Sequence, residues 1–387
     1  MSNKFPLKLR LIFFTMLLYS SMVIGQFNEK KYPDFSWDQI QLCFHFGNNN
    51  RLLSDDEISF ITDHSNIICL EKAHGIGEMG YTEKGIATDA SRLKLAKPDM
   101  KVIFYWNAFL DYKMYKASKT YNQHPEWWLK DKNGNLDYKS KDLKRYDLSN
   151  PAVRKWWVDI AYKGVTDYNC DGVFMDAFPQ VNASANIDLW GQEKYDAINQ
   201  GLHYLVKETR ERLGQDKLIL FNGIRTTDAG TFGTSFYEHG DAPMMEHFGV
   251  IKSATKEAML ADIQAMQAAG KKGKMVIFKG WPGEKGLWIN KEFMAHSKEE
   301  KEAIAKREIV FPLACFLIGA QEYAYFSYSW GYQAEHGFFI DYPEYHKKLG
   351  KPLSDYKKNG WVLTRDFEYA KVWVNLENRT AKIDWKE

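Results

Sequence analysis

The sequence predicts an α/β chain closed into a (β/α)8 TIM barrel, with a small antiparallel β extension at its C-terminus. Three observations predict it. Eight short apolar runs recur along the chain, amphipathic helical stretches separate them, and polar or charged residues stand at their C-terminal ends. An open doubly wound sheet is the competing arrangement, and it usually carries a glycine-rich phosphate turn after its first strand. Here the first run ends in His45-Phe46-Gly47-Asn48-Asn49-Asn50, which lacks that spacing.

The eight expected strands are Gln41–Phe46, Ile67–Glu71, Lys101–Asn107, Gly172–Ala177, Lys217–Asn222, Pro243–Phe248, Lys274–Trp281 and Tyr323–Trp330. Helical periodicity places helices at Asp55–His64, Lys84–Ala96, Pro151–Tyr168, Ile187–Leu213, Lys256–Ala269 and Lys298–Ile318, with weaker patterns near 111–118 and 226–236. Several termini have suitable chemistry. Asn150 caps ahead of Pro151 at the first helical position, and Ser54 with Glu57 and Ser297 with Glu300 have the capping-box spacing. Gly214 and Gly270 suit helix ends. The connection after the third strand, from about 108 to 150, is long enough to carry structure of its own, and its Asn133-Gly134 pair reads as a hairpin turn beside one wall of the barrel mouth. Beyond the eighth strand, Trp361–Thr364, Ala370–Asn375 and Ala381–Trp385 alternate apolar and polar positions as short antiparallel strands.

This organisation divides the chain into a leader over 1–25, a barrel over 26–345 and a β extension over 346–387. The leader has a basic start, Lys4, Lys8 and Arg10, then an apolar run from Leu11 to Val23, which reads as a secretory signal peptide and predicts a secreted or periplasmic protein. No later run has membrane-spanning length; the apolar stretch 309–320 is of core-helix length and contains Pro312. Lys plus Arg total 52 against 50 Asp plus Glu, so no electrostatic footprint for nucleic acid exists. Aromatic residues make up 15%, with 13 Trp and 22 Tyr, which suits stacking on sugar rings as well as core packing. Cys43, Cys69, Cys170 and Cys315 lack metal-ligand spacing and fall on expected strands and helices, so they read as buried small hydrophobes. No clustered His or Cys ligands point to a metal-dependent hydrolase. Oligomeric state leaves no trace in the sequence.

Barrel enzymes hold their chemistry at the C-terminal ends of the strands. Those ends supply His45, Glu71, Asn107, Asp176, Asn222, Glu246, Lys279, Trp281 and Trp330. Asp176 closes the apolar run of the fourth strand and Glu246 that of the sixth, whereas Asp171 opens the fourth strand and caps the opposite rim. Glycosidic cleavage needs two carboxyl groups, one protonated and one ionised. Asp176 is expected to be the ionised partner and Glu246 the acid, its pKa raised by apolar surroundings, with Glu71 as the alternative acid. His45 and Asn107 are expected to bond sugar hydroxyls, Asn222 and Arg225 a neighbouring hydroxyl or the nucleophile, and Trp281 and Trp330 to serve as stacking platforms. Glu238, His239 and Asp241 precede the sixth strand and belong to the opposite rim.

The stretches His124–Asp131, Tyr146–Pro151 and Asp171–Phe178 resemble barrel glycosidases, nearest to the glycosyl-hydrolase-like proteins called hypothetical family 15, in the wider α-amylase and α-galactosidase superfamily. Tyr342–Tyr345, Lys351–Leu353, Arg365–Glu368 and Val372–Asn375 resemble the end of such proteins. The resemblance implies a nucleophile at Asp176, cleavage of an oligo- or polysaccharide with retention, and no cofactor. It departs in having Glu246 where the α-galactosidase branch commonly has aspartate, and Asn222-Gly223 where the amylase branch places its acid. Two other classes stay open at this level: a non-catalytic carbohydrate-binding barrel, and a Schiff-base lyase or aldolase using Lys279, with Lys72 as a second rim lysine.

Overall fold

The computed structural model describes residues 31–227 and 230–386; the expected leader lies outside them. Eight parallel strands close a barrel. They are β1 (Leu42–Phe46), β2 (Ser65–Leu70), β3 (Lys101–Asn107), β4 (Gly172–Asp176), β5 (Leu218–Asn222), β6 (Ala242–Met245), β7 (Val276–Gly280) and β8 (Ala324–Tyr328). Each strand pairs with its sequence neighbours, and β1 pairs with β8 to complete the ring. All eight expected strands are present. The sixth ends earlier than its apolar pattern suggests, leaving Glu246 one residue beyond it.

The outer helices include α1 (Asp55–His64), α2 (Thr82–Ala96), α3 (Pro151–Thr166), α4 (Gln192–Leu213), α5 (Lys256–Lys271), α6 (Lys298–Glu308) and α7 (Val310–Gly319). Ser54 and Ser297 each form the expected capping box, and the Asn150 side chain accepts from the Ala152 amide ahead of α3. Two expected helices are broken. Gly191, at φ 77°, separates the short helix Asn186–Trp190 from α4. Ile309 separates polar α6 from apolar α7, where Pro312 occupies the first turn and so removes no internal hydrogen bond. The weak pattern near 226–236 is not a helix: Arg225–Thr227 pairs with Gly230–Phe232 as a hairpin, followed by a 3-10 turn at Thr234–Phe236.

The 108–150 connection carries the helix Ala117–Asn122, a bridge between Lys130 and Leu136 around the Asn133-Gly134 turn, and a hairpin of Tyr138–Ser140 with Leu143–Lys144. It packs outward: Tyr121, Trp127 and Tyr146 gather on Trp156 of α3. Its start approaches the mouth, where the Lys72 ammonium lies 5.5 Å from the Tyr112 ring centre.

A four-stranded antiparallel sheet ends the chain: Lys357–Asn359, Val362–Asp366, Ala370–Asn375 and Thr380–Trp385. Leu363, Val372 and Val374 are buried, together with the apolar residues of α7. Arg365 donates to the carbonyls of Leu317 (2.9 Å), Ile318 (3.2 Å) and Ala320 (2.5 Å), satisfying acceptors that the end of α7 leaves open. Cys43, Cys69, Cys170 and Cys315 are free and buried, as expected. No helix among the described residues is long and apolar enough to cross a membrane.

Candidate active site

Side chains alternate along a strand, so every second residue of a barrel strand points inward. On β4 this places Phe174 below Asp176. The Phe174 ring packs against His45 of β1 (centroids 4.6 Å) and Tyr105 of β3 (5.9 Å), forming an aromatic floor. Asn107 is in register with Asp176, and Asn222 with Met244 near the end of β6. Asp176, Asn222 and Glu246 therefore stand at one level of the same rim. A side chain at Gly223 would sit 2.1 Å from the Met244 carbonyl oxygen; the missing Cβ lets the chain turn tightly after Asn222.

The two carboxylates meet through Asn222. Its amide nitrogen donates to Oδ1 of Asp176 at 2.9 Å and to Oε2 of Glu246 at 2.7 Å. Those two oxygens are therefore no farther apart than the sum of the two distances. Asp176 also accepts from the Tyr105 hydroxyl (2.5 Å) and the Asn107 amide (3.1 Å), both on Oδ2. Glu246 accepts from the Tyr332 hydroxyl (2.6 Å), and Nε2 of His247 lies 3.0 Å from Oε2. Both carboxylates stay partly exposed, while Asn107, Asn222, His45 and Glu71 beneath and beside them are buried.

The electrostatics run against both expected ionisation states, Asp176 as the ionised partner and Glu246 as the acid. Burial and the nearby negative charge of Glu246 raise the Asp176 carboxyl above its ordinary range. Burial alone would also raise Glu246. The charge of His247 and hydrogen bonds from His247, Tyr332 and Asn222 outweigh burial and hold Glu246 well below the ordinary carboxylate range. Glu246 was expected to be raised by apolar surroundings. The polar donors come from its own chain neighbour and from a residue beyond β8, and neither figured in that reading.

Other expected site residues settle differently. Asn107 is fully engaged: its amide donates to Tyr105 and Asp176, and its carbonyl oxygen accepts from the Phe109 and Leu110 amides. It positions Asp176 and has no group left for a sugar hydroxyl. Glu71 lies 3.1 Å from His45 and 2.5 Å from Lys72; these partners outweigh burial and lower its pKa, which disfavours it as the acid. His45, 2% exposed, sits below the mouth with its Nδ1 unpartnered. Arg225 lines a cavity of about 20 Å³ behind Glu246, shared with His247 and Ser253 and suited to a single water.

Lys279 is 0% exposed, its ammonium bonded to the hydroxyl (2.5 Å) and carbonyl (3.1 Å) of Ser329 beneath the Trp281 ring; burial pushes it well below the ordinary lysine range. It is sealed from the mouth and cannot touch a sugar or a substrate carbonyl as placed. Trp281 and Trp330 are 2% and 1% exposed, too deep for stacking platforms. The Trp281 indole instead donates to the Glu246 carbonyl at 2.8 Å and fixes the backbone that carries the carboxylate. Two roomier cavities, about 310 Å³ beside His203 and Phe236 and about 280 Å³ between Trp281 and Arg379, do not touch either carboxylate.

Sequence reasoning missed Tyr105, His247 and Tyr332. Tyr105 had a signal, since it shares a strand face with Asn107 two residues on. His247 follows Glu246 directly. Tyr332 lies in the loop after β8 and carried none.

Comparison with known proteins places the chain in a family. Residues 94–371 match hypothetical glycosyl hydrolase family 15. A search of curated proteins found no match. Among solved structures, α-L-fucosidase isoenzyme 2 from Paenibacillus thiaminolyticus is similar with a TM-score of 0.50 and 15% identity, over 81% of this chain and 48% of that one. This chain thus spans about half the length of that fucosidase. The α-amylase of Geobacillus thermoleovorans complexed with acarbose gives 0.49 and 12%, over 88% and 87%. The glycoside hydrolase domain of PelA from Pseudomonas aeruginosa gives 0.46 and 12%, over 77% and 96%. With its match running from before β3 to the C-terminal sheet, the chain belongs to hypothetical glycosyl hydrolase family 15 and is a glycosidase built on a TIM barrel.

Proposed function

We propose that this glycosidase cleaves an O-glycosidic bond of an oligo- or polysaccharide with retention of configuration, using Asp176 as nucleophile and Glu246 as acid and base. One observation carries the reading: a single amide, on Asn222, holds both carboxylates from alternate strands. Nearest oxygens this close support the ~5–5.5 Å carboxyl separation of retaining enzymes over the ~6.5–9.5 Å that inverting enzymes need for a water.

Three hydrogen-bond donors on Asp176 support its ionised, nucleophilic form, working against the burial and the Glu246 charge that raise its pKa. Glu246 must carry a proton when the glycosidic oxygen leaves. His247, in contact with its Oε2 and partly exposed, is the route by which that proton arrives. Tyr105 and Asn107 hold Asp176 in place, and Asn222 keeps the pair aligned until substrate enters. The order of the two pKa shifts favours a second reading, in which Glu246 attacks and Asp176 supplies the proton.

A panel of aryl glycosides and polysaccharides would first identify a substrate. The matching 2-deoxy-2-fluoro glycoside should then label one carboxylate covalently. Label on the peptide containing Asp176 supports the first assignment, and label on Glu246 supports the second. Turnover with inversion and no label would contradict both. The basic start and apolar run of residues 4–23 further support export of the enzyme; cell fractionation with N-terminal sequencing of the mature protein tests that.

A further inference from the structure

His64, Asp341 and His346 come together away from the catalytic mouth, and each presents one ligand atom within 4.8 Å of the others. His64 is the last residue of α1 and leads directly into the N-terminal end of β2. Asp341 and His346 flank and close the 3-10 helix Pro343–His346 beyond β8. The His64 ring is fixed twice. It stacks on Phe60 (centroids 4.1 Å, 20°), and its Nδ1 lies 2.7 Å from the Phe60 carbonyl oxygen. A carbonyl only accepts, so Nδ1 carries the hydrogen and Nε2 presents a lone pair. That Nε2 is buried without a hydrogen-bond partner, and Asp341 Oδ1 lies 3.5 Å away. His346 Nε2 reaches the same Asp341 oxygen at 2.5 Å.

We propose that these three side chains form a binding site for a divalent late transition metal such as zinc. Zinc–ligand bonds of about 2.0–2.1 Å put tetrahedral ligands about 3.3–3.4 Å apart. The His64–Asp341 spacing fits already. The His346–Asp341 contact opens by about 1 Å, which two exposed side chains allow. Water completes the fourth position. The Phe60 carbonyl supplies the outer hydrogen bond that orients a metal-bound imidazole. Tyr342 and Tyr345, buried with Tyr328 of β8, anchor the helix that brings His346.

The consequence lies in the fold. Within the strands the seam between β1 and β8 has one register pair, Leu42 with Phe326, and a bridge of Gly47 with Gln333 continues it beyond them. A metal at this site ties the end of α1 to the segment leaving β8, across that seam. It is a structural staple and takes no part in glycoside cleavage.

The test uses the full-length protein stripped with chelator and titrated with Zn²⁺ or Co²⁺. Isothermal titration should show about one equivalent bound, Co²⁺ should give the absorption of a tetrahedral nitrogen–oxygen site, and Zn²⁺ should raise Tm by ~2–5 °C. His346→Ala and Asp341→Asn, both at exposed positions, should fold and melt like the stripped protein. Each should weaken binding more than about 100-fold and abolish the Tm rise. The proposal is overturned if the intact protein binds no metal, or if both variants bind it as well as the intact protein does.

Discussion

The two rims of the barrel hold acidic residues in opposite ways. At the N-terminal rim, Asp241 meets Lys31 at 2.6 Å, Arg210, and the Ile219 amide at 2.8 Å. Asp171 meets Lys94 and the Val102 amide, each at 2.9 Å. Each of these two carboxylates has an opposite charge, and backbone amides complete the set. At the C-terminal rim, Asp176 and Glu246 share one neutral amide and are otherwise held by phenols, an amide and an imidazole. One rim pairs these carboxylates with cations, and the other holds two of them close together, as the proposed chemistry needs. In a barrel, stability and chemistry divide between the rims in this way.

That contrast can be broken or sharpened by substitution. The largest effect is expected for Glu246→Gln. Turnover of substrates with poor leaving groups should fall ~10³-fold or more, and much less with activated aryl leaving groups, which need no acid. Equal losses for both substrate types would take the acid role from Glu246. At the opposite rim, Asp241→Asn leaves Lys31 and Arg210 buried without their counter-charge, and unfolding by denaturant should report a loss of ~3–5 kcal/mol. Its kcat per folded molecule should match that of the unaltered enzyme; a large drop in kcat would end the division of labour between the rims. Asn222→Ala removes the bridge and should lower kcat by ~10–100-fold with little change in KM, read from steady-state kinetics.

The smallest effect concerns stability and pH. Asp176 has a raised pKa in the folded state, so the folded protein binds its proton more tightly than the unfolded chain does. Stability is then lost as pH rises from the ordinary aspartate range through the raised value. Asp176→Asn removes that penalty. Its Tm should exceed that of the unaltered protein by a few degrees at pH 7, with the gap closing as pH falls below about 4. A lower Tm at neutral pH would mean that the donors around Asp176 outweigh its burial. Glu246 works in the other direction: its lowered pKa contributes stability above the ordinary glutamate range that is lost in acid.

The barrel was legible because its strands are short runs of β-branched and aromatic residues between capped helices, and both signals are local. Asp176 and Glu246 were legible because polar residues ending apolar runs mark a rim. What was hidden depends on contacts distant in sequence. The depth of Trp281 and Trp330 is set by packing against Trp288 and Phe293, which no alternation pattern reveals. Tyr332 reaches Glu246 from a loop, and with His247 it reverses the electrostatics that apolar neighbours alone suggested. Lys279 sits at a strand end, yet the Ser329 bonds draw it under the aromatic layer. The hairpin that replaces a helix between β5 and β6 follows a weak pattern containing Gly230 and Gly233, residues that favour turns over helix.

Kinetics of Asp176→Asn on the best aryl glycoside, with its melting temperature at the same pH, put the paired carboxylates to the most direct test. Turnover falling by orders of magnitude in a protein that melts no lower than the unaltered enzyme is the predicted result. Near-normal turnover by a folded Asp176→Asn protein would contradict it.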